Sequence, residues 1–136
     1  MQEPKSVQTE RPFVEVVDDN PDLRELVVNA LRVMGYEARS HASAEAFLNC
    51  PPVGKPMLIV VDIRMPGMSG LDLHRQLRAS GNDVPMILIS GDIDMTDAEE
   101  RLSCTRVRFM WKPFSTRLLR ENLIWGEELL APSATS

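Results

Sequence analysis

Residues 57–70 read MLIVVDIRMPGMSG, an apolar run that ends in one acid and is followed by a loop containing Pro and Gly. A continuous apolar run from Met57 to Val61 is typical of a strand covered on both faces. Asp62 ends that run, so we expect its carboxylate at the carboxyl end of the strand, where open α/β sheets bind ligands. The sequence Met65-Pro66-Gly67 predicts a turn, and Ser69 is suited to cap the helix that follows.

Strand-like and helix-like segments alternate on both sides of this stretch. Strands are predicted at residues 13–17, 36–42, 57–61, 84–89 and 107–111. Helices are predicted at residues 20–34, 43–48, 69–80, about 95–102, and 115–130. Five alternating strand–helix units predict an α/β fold, with a five-stranded parallel sheet doubly wound by helices on both faces.

Length and composition limit the classes of protein to consider. The 136 residues suit one domain, which we expect at residues 12–130 between an N-terminal tail (1–11) and a C-terminal tail or linker (131–136). A net charge of −5 argues against direct nucleic-acid binding. No apolar run is long enough for a membrane helix and no signal peptide is recognisable, so we expect a cytoplasmic protein. Cys50 and Cys104 form no metal-binding pair, which favours two free thiols in a reducing compartment.

Polar residues follow four of the predicted strands. They are Asp18-Asp19, Asp62, Ser90 and Lys112. Because the carboxyl ends of parallel strands lie along one edge of a sheet, we expect these side chains to converge. Three carboxylates within about 4–6 Å would repel by several kcal/mol at an effective dielectric constant of about 20, so the cluster needs a compensating cation. Mg²⁺ suits such an oxygen site, and with Lys112 it would neutralise the three charges.

A neutral site of this kind could accept a phosphoryl group. One carboxylate could then attack phosphorus and form an acyl phosphate, while the cations hold the transferring oxygens. Taken singly, each residue has an ordinary explanation: Asp18-Asp19 could be helix capping, and Ser90 or Lys112 could simply precede turns. Their coincidence at four strand ends favours a functional site.

Four segments now identify a resemblance that spans residues 13 to about 130. The segments are VEVVDD (14–19), DIRMPGMSGLDL (62–73), ILISG (87–91) and FMWKPF (109–114). The chain resembles the receiver domain of two-component response regulators. The segments SAEAFL (43–48) and MPGMSG (65–70) most resemble receivers that precede helix-turn-helix DNA-binding domains in nitrogen-fixation regulators.

The resemblance implies roles for the acidic residues. Asp62 would be the phosphoacceptor. Asp19 and Asp62, with the backbone carbonyl of Arg64, would ligate Mg²⁺, and Asp18 would act through water or as a further ligand. The phosphodonor would be the phosphohistidine of a sensor histidine kinase, and the module would signal rather than turn over a substrate.

The resemblance also implies a switch. Lys112 would pair with the phosphoryl oxygens and precede a cis bond to Pro113. Ser90 would be the switch hydroxyl, and Phe109 the aromatic side chain whose rotation reports it. The output would be a change in the surface made by the fourth predicted helix, the fifth strand and the fifth predicted helix, through which we expect a possible homodimer.

Two features depart from the family pattern. The Ala-Gly that usually precedes the fifth strand is replaced by Cys104-Thr105, which removes a glycine's freedom in φ. Trp111 is expected to share a strand face with Phe109 by period two. Arg64 and Asp92 occupy positions that in the family tune hydrolysis of the acyl phosphate, and we hypothesise that they pair across the site.

Three other functions fit the sequence less well. An aspartyl phosphatase would need a second acid two residues after the nucleophile, where this chain has Arg64. A flavodoxin would need a hydroxyl-rich phosphate loop where this chain has Asp18-Asp19. A receiver that signals by docking alone would not need the intact acids.

His41 and His74 are interpreted as isolated. Four arginines near the fifth strand and last helix are interpreted as a solvated face with ion pairs: Arg106, Arg108, Arg117 and Arg120.

Overall fold

The computed structural model describes residues 13–50, 54–91 and 106–130. The elements are β1 (Phe13–Val17), α1 (Pro21–Val33), β2 (Glu37–His41), α2 (Ala44–Leu48), β3 (Leu58–Asp62), α3 (Gly70–Ala79), β4 (Met86–Ser90), β5 (Val107–Trp111) and α4 (Thr116–Leu130). Helix α4 is the fifth helix in the predicted order, because the fourth predicted helix and Asp92 lie outside the described residues.

The five strands form one parallel sheet in the order β2-β1-β3-β4-β5. After β2 the chain crosses back over β1, so that β3 pairs with the free edge of β1. The carboxyl ends of β1 and β3 therefore lie side by side at the point where the strand order reverses, which is where sheets of this order bind ligands. The predicted doubly wound fold is confirmed.

Helices cover both faces of the sheet. Strands β3 and β4 are buried along their whole length, as their unbroken apolar runs predict. One core lies between the sheet and helices α1 and α4, with Val27, Leu31, Leu119 and Leu123 among its members. The other lies beneath α2 and α3, and includes Phe47, Leu73 and Leu77.

Local sequence signals explain where the helices begin and end. The Asn20 side chain accepts hydrogen bonds from the first-turn amides of α1, and Pro21 occupies the first helical position. Gly35 follows α1 with φ of 98°, a conformation that favours glycine. Ser69 caps α3 in a reciprocal capping box with Asp72. The predicted caps are confirmed.

The structure corrects several strand boundaries. Strand β4 begins at Met86 instead of residue 84 and continues to Ser90. Pro85 has no N–H to donate to the ladder, although its carbonyl accepts from Ile59 N–H at 3.0 Å, so regular pairing starts one residue later. Strand β3 also shifts by one residue, so Asp62 is its last member.

No helix within the described ranges is long and apolar enough to cross a membrane.

The interpretation of His41 as isolated is wrong. Glu15, a fully buried charged residue of β1, has one carboxylate oxygen 2.8 Å from His41 Nε2. Its other oxygen lies 3.8 Å from the Arg39 guanidinium. The signal was a charged residue inside a buried strand, which needs a partner on the neighbouring strand. His74 is buried within α3, and this burial lowers the pKa of its imidazole.

Candidate functional site

Three aspartates meet at the carboxyl ends of β1 and β3. Asp18 and Asp19 follow β1, and Asp62 ends β3. Each contributes one carboxylate oxygen to a group whose members all lie within 4.8 Å of one another. Asp18 and Asp62 are buried whereas Asp19 is exposed, so the cluster opens towards solvent on the side of Asp19. The predicted convergence of the acids is confirmed.

The backbone of the β1–α1 loop is held on two sides. Asp18 N–H donates to the carbonyl of His41, at 3.1 Å, which continues the pairing of β1 with β2. Arg24 on α1 donates from its guanidinium to the Asp18 carbonyl oxygen at 2.7 Å. Asn20 N–H donates to Asp18 Oδ1 at 2.9 Å. Arg24 fixes the loop that carries both acids, and no sequence pattern indicates this role.

Both oxygens of Asp62 have donors. Arg64 N–H donates to Oδ1 at 3.0 Å, and the Lys112 ammonium donates to Oδ2 at 2.8 Å. The Asp62 side chain is 5% exposed and that of Lys112 is 34% exposed, so the ion pair lies at the edge of the buried region. Lys112 N–H also donates to the carbonyl of Ser90 at 2.8 Å, which joins β5 to β4 at this end of the sheet. The Lys112–Pro113 bond is cis, as the resemblance implies.

Ser90 and Phe109 lie on the neighbouring strands β4 and β5. Ser90 is the buried last residue of β4, opposite Trp111 in the β4–β5 register. Phe109 is half-buried on β5 and packs against the core beneath α2 and α3. Their switching role stays a prediction, and so does pairing of Arg64 with Asp92.

The electrostatics of the cluster favour a bound cation. Burial raises the pKa of the Asp18 carboxyl, and the charges of Asp62 and Asp19 raise it further. Hydrogen bonding from Asn20 and the charge of Lys112 act in the opposite direction. A cluster of carboxylate oxygens, two of them on buried residues, matches the hard oxygen ligands that Mg²⁺ prefers. Asp18, Asp19 and Asp62 therefore fit a magnesium site.

We expect Asp18→Asn to stabilise the metal-free protein at pH 7. The folded-state pKa of Asp18 lies above its ordinary value of 3.8, so the folded state binds the proton more tightly than the unfolded state does. The free energy of unfolding therefore falls as pH rises from the unfolded-state pKa to the folded-state pKa. An amide removes this loss, so we expect the variant to have the higher Tm at pH 7. Thermal unfolding in EDTA between pH 3 and pH 8 measures it.

Magnesium provides the control for this prediction. Mg²⁺ is expected to raise the Tm of the wild-type protein more than that of Asp18→Asn, because the variant has one carboxylate fewer. A metal-free Asp18→Asn protein that melts below wild type at pH 7 would show that ionised Asp18 is favourable in the fold.

The loop between β3 and α3 is closely packed against β3. Gly70 N–H donates to the Ile63 carbonyl at 3.0 Å. A Cβ at Gly70 would lie 2.7 Å from the Asp62 carbonyl oxygen and 3.0 Å from the Ile63 Cα, both backbone atoms. The first residue of α3 therefore has to be glycine for the helix to begin against the strand that carries Asp62.

The structure describes contacts for three of the arginines interpreted as a solvated face with ion pairs. Arg117 and Glu121 form an exposed ion pair at 3.6 Å on α4. The Arg108 guanidinium lies over the Trp125 ring, 5.2 Å from its centroid. Arg106 donates to the Asp83 carbonyl at 2.9 Å. The ion pair predicted for this face is confirmed for Arg117.

Comparison with known proteins identifies the family. Residues 14–124 match the model of the response regulator receiver domain. The transcriptional regulatory protein FixJ of Rhizobium meliloti (strain 1021) is 36% identical over 117 residues, which are 86% of this chain and 57% of FixJ. The transcriptional regulatory protein AruR of Pseudomonas aeruginosa is 41% identical over 113 residues, 79% of this chain and 46% of AruR. The chain belongs to the response regulator receiver domain family.

Solved structures agree with this assignment. The crystal structure of FixJ-N has a TM-score of 0.79 at 33% identity and covers 90% of this chain and 98% of its own. The structure of the response regulator StyR has a TM-score of 0.80 at 32% identity, covering 88% of this chain and 61% of StyR. This chain spans about half the length of the relatives FixJ and AruR.

Proposed function

We propose that this chain accepts a phosphoryl group on Asp62 from the phosphohistidine of a sensor histidine kinase. The observation that carries the proposal is the 2.8 Å bond from Lys112 to Asp62 beside the carboxylates of Asp18 and Asp19. A carboxylate oxygen of Asp62 forms the new O–P bond. The P–N bond of the donor breaks, its electron pair stays on the imidazole nitrogen, and that nitrogen takes up a proton.

Several residues around Asp62 contribute to this phosphoryl transfer, each in a different way. The N–H of Arg64 holds Oδ1, which orients the carboxylate. Lys112 lies within reach of an oxygen of an incoming phosphoryl group and offsets its negative charge. Asp18 and Asp19, with Asp62 and the backbone carbonyl of Arg64, would hold Mg²⁺, which supplies positive charge to the transferring oxygens.

The acyl phosphate then changes a surface for protein contacts. Ser90 would hydrogen-bond the phosphoryl group, and Phe109 would rotate towards the space that this hydroxyl vacates. The output surface includes β5 and α4, and a homodimer through that face remains part of the proposal. We place the protein in the cytoplasm, without direct binding to nucleic acid.

The observations favour this module over an aspartyl phosphatase. The residue two positions after Asp62 is the exposed Arg64, and it cannot serve as a carboxylic general acid. The chain would therefore undergo one phosphorylation event per signal and would not act as a turnover enzyme.

Intact-protein mass spectrometry tests the proposal. After incubation with acetyl phosphate and Mg²⁺, we expect a gain of one phosphoryl group that EDTA prevents. Beryllofluoride, a phosphoryl mimic, should change the fluorescence of Trp111, which adjoins Lys112. The Trp111→Phe variant keeps Trp125, which lies on α4 beneath the Arg108 guanidinium. Its fluorescence should change only weakly with beryllofluoride. If the protein shows no mass gain and no response to beryllofluoride, the proposal that Asp62 accepts a phosphoryl group is contradicted.

A further inference from the structure

One carboxylate on α2 reaches across to the loop that follows the acceptor strand. Glu45 lies in the first turn of α2, two residues after the Ser43 cap, whose hydroxyl accepts from Ala46 N–H at 3.0 Å. Glu45 Oε2 accepts a hydrogen bond from Met68 N–H at 2.9 Å. The cap holds the helix turn that carries Glu45, so the carboxylate is directed at the loop by a short, ordered segment.

A second observation shows how closely this carboxylate is fitted to the loop. Gly67, next to Met68, has φ of 77°. A Cβ built on Gly67 would lie 2.7 Å from Glu45 Oε2, shorter than a Cβ contact allows. The loop therefore uses glycine both for its backbone conformation and to leave room for the Glu45 oxygen.

The same loop carries the backbone of the acid site. Arg64 donates its N–H to Asp62 Oδ1 at 3.0 Å, and the loop then continues to Met68, where Glu45 binds it. At the other end Gly70 packs against the backbone of Asp62. The loop is thus held at Asp62, at Glu45 and at the start of α3, and Glu45 provides the contact from a separate element.

We propose that Glu45 is a positioning residue for the magnesium site. Its carboxylate holds the 64–68 loop so that the Arg64 carbonyl is in place when Mg²⁺ binds, although Glu45 touches neither the metal nor Asp62. Because coupling between two contacts is reciprocal, bound Mg²⁺ also tightens the hydrogen bond between Glu45 and Met68. The inference rests on the proposed function, since it concerns the same loop and the same metal.

Four variants test this role. Glu45→Ala removes the hydrogen bond, and Glu45→Gln keeps an acceptor oxygen but removes the charge. Gly67→Ala places a methyl group against the carboxylate, and the double variant Glu45→Ala/Gly67→Ala has no carboxylate to clash with. Since the strain of alanine at φ of 77° is present with and without Glu45, comparing Gly67→Ala in the two backgrounds isolates the clash.

Two readouts are independent of phosphorylation: Mg²⁺ titration followed by Trp111 fluorescence, and hydrogen exchange of the Met68 amide by NMR. We expect Glu45→Ala to raise the Mg²⁺ midpoint roughly tenfold, the lower end of the range for residues that support metal ligands. Glu45→Gln should stay within about twofold of wild type, because its amide oxygen still accepts the bond. Mg²⁺ should slow exchange of the Met68 amide in wild type and in Glu45→Gln, but not in Glu45→Ala.

The outcomes separate this inference from the proposed function. Equal Mg²⁺ midpoints for wild type and Glu45→Ala would overturn the positioning role even if both proteins are phosphorylated. Equal losses in Glu45→Ala and Glu45→Gln would also overturn it, because they would assign the effect to charge alone. If wild type neither binds Mg²⁺ nor gains a phosphoryl group, the proposed function itself fails. Melting of each variant in EDTA checks that the exposed substitutions leave the fold intact.

Discussion

Asp62→Asn is expected to reduce phosphoryl addition from acetyl phosphate to background while the protein remains folded. The amide has nearly the shape of the carboxylate, and its oxygen still accepts from either Arg64 N–H or Lys112, so the loss is chemical. An amide is a poor nucleophile towards phosphorus, and the stable acyl phosphate cannot form. Intact mass after incubation with Mg²⁺ measures the loss, and thermal unfolding confirms the fold.

Asp72→Asn provides a matched control for this variant. Asp72 is also an aspartate near the start of a helix, but it is exposed and bonds only to Ser69 and Arg75 on α3 among the contacts described. Its asparagine variant should gain the phosphoryl group as wild type does. A mass gain in Asp62→Asn that still requires Mg²⁺ would move the acceptor to another residue and contradict the assignment.

Gly70→Ala is expected to destabilise the fold by roughly 2 to 4 kcal/mol and to slow phosphoryl addition. The added Cβ would meet the backbone of Asp62 and Ile63, and neither can rotate away as a flexible side chain does. Helix α3 has to move away from the end of β3, which displaces the strand that carries Asp62. The higher helix propensity of alanine offsets at most about 1 kcal/mol of this cost. Urea unfolding measures the difference.

Gly126→Ala is the matched control, because Gly126 is also a buried helical glycine. Its Cβ would lie 3.2 Å from Leu58 Cδ1, which is a side-chain atom and not a backbone atom. We expect its stability to stay within about 1 kcal/mol of wild type, since the gain in helix propensity opposes the crowding. Equal stability of Gly70→Ala and wild type would mean that α3 can move away from β3 without cost.

Sequence patterns predicted the fold well where a change of residue type coincides with a structural boundary. Strands β1 and β5 have the predicted limits, because Asp18 ends one apolar run and Lys112-Pro113 ends the other. The start of β4 was misplaced, since Val84 and Pro85 are as apolar and as buried as the strand itself. Hydrophobicity reports burial, whereas a strand is defined by backbone pairing.

The site was predictable to the extent that it is built from strand ends. Asp18, Asp19 and Asp62 converge because parallel strands place their carboxyl ends together. Arg24 and Glu45 were missed because each binds a backbone group of a loop whose path has no periodic signal in the sequence.

The turn before β5 shows another limit of prediction from sequence. Cys104-Thr105 replaces the glycine-containing pair of the family but lies outside the described residues. In the structure Arg106 has a positive φ of 59°. Arg106 donates to the Asp83 carbonyl and accepts from Arg78, and these contacts offset the cost of the left-handed conformation, about 1 kcal/mol or more.

The strand order has a consequence for the growing polypeptide on the ribosome. Beyond β2, each new strand joins a free edge that already exists: β3 joins β1, β4 joins β3 and β5 joins β4. The aspartates can therefore assemble once β3 has paired, whereas Lys112 arrives only after the final strand has been translated. Until then the nascent domain carries three carboxylates without the ammonium group of Lys112, and a bound Mg²⁺ would offset their repulsion while the domain folds.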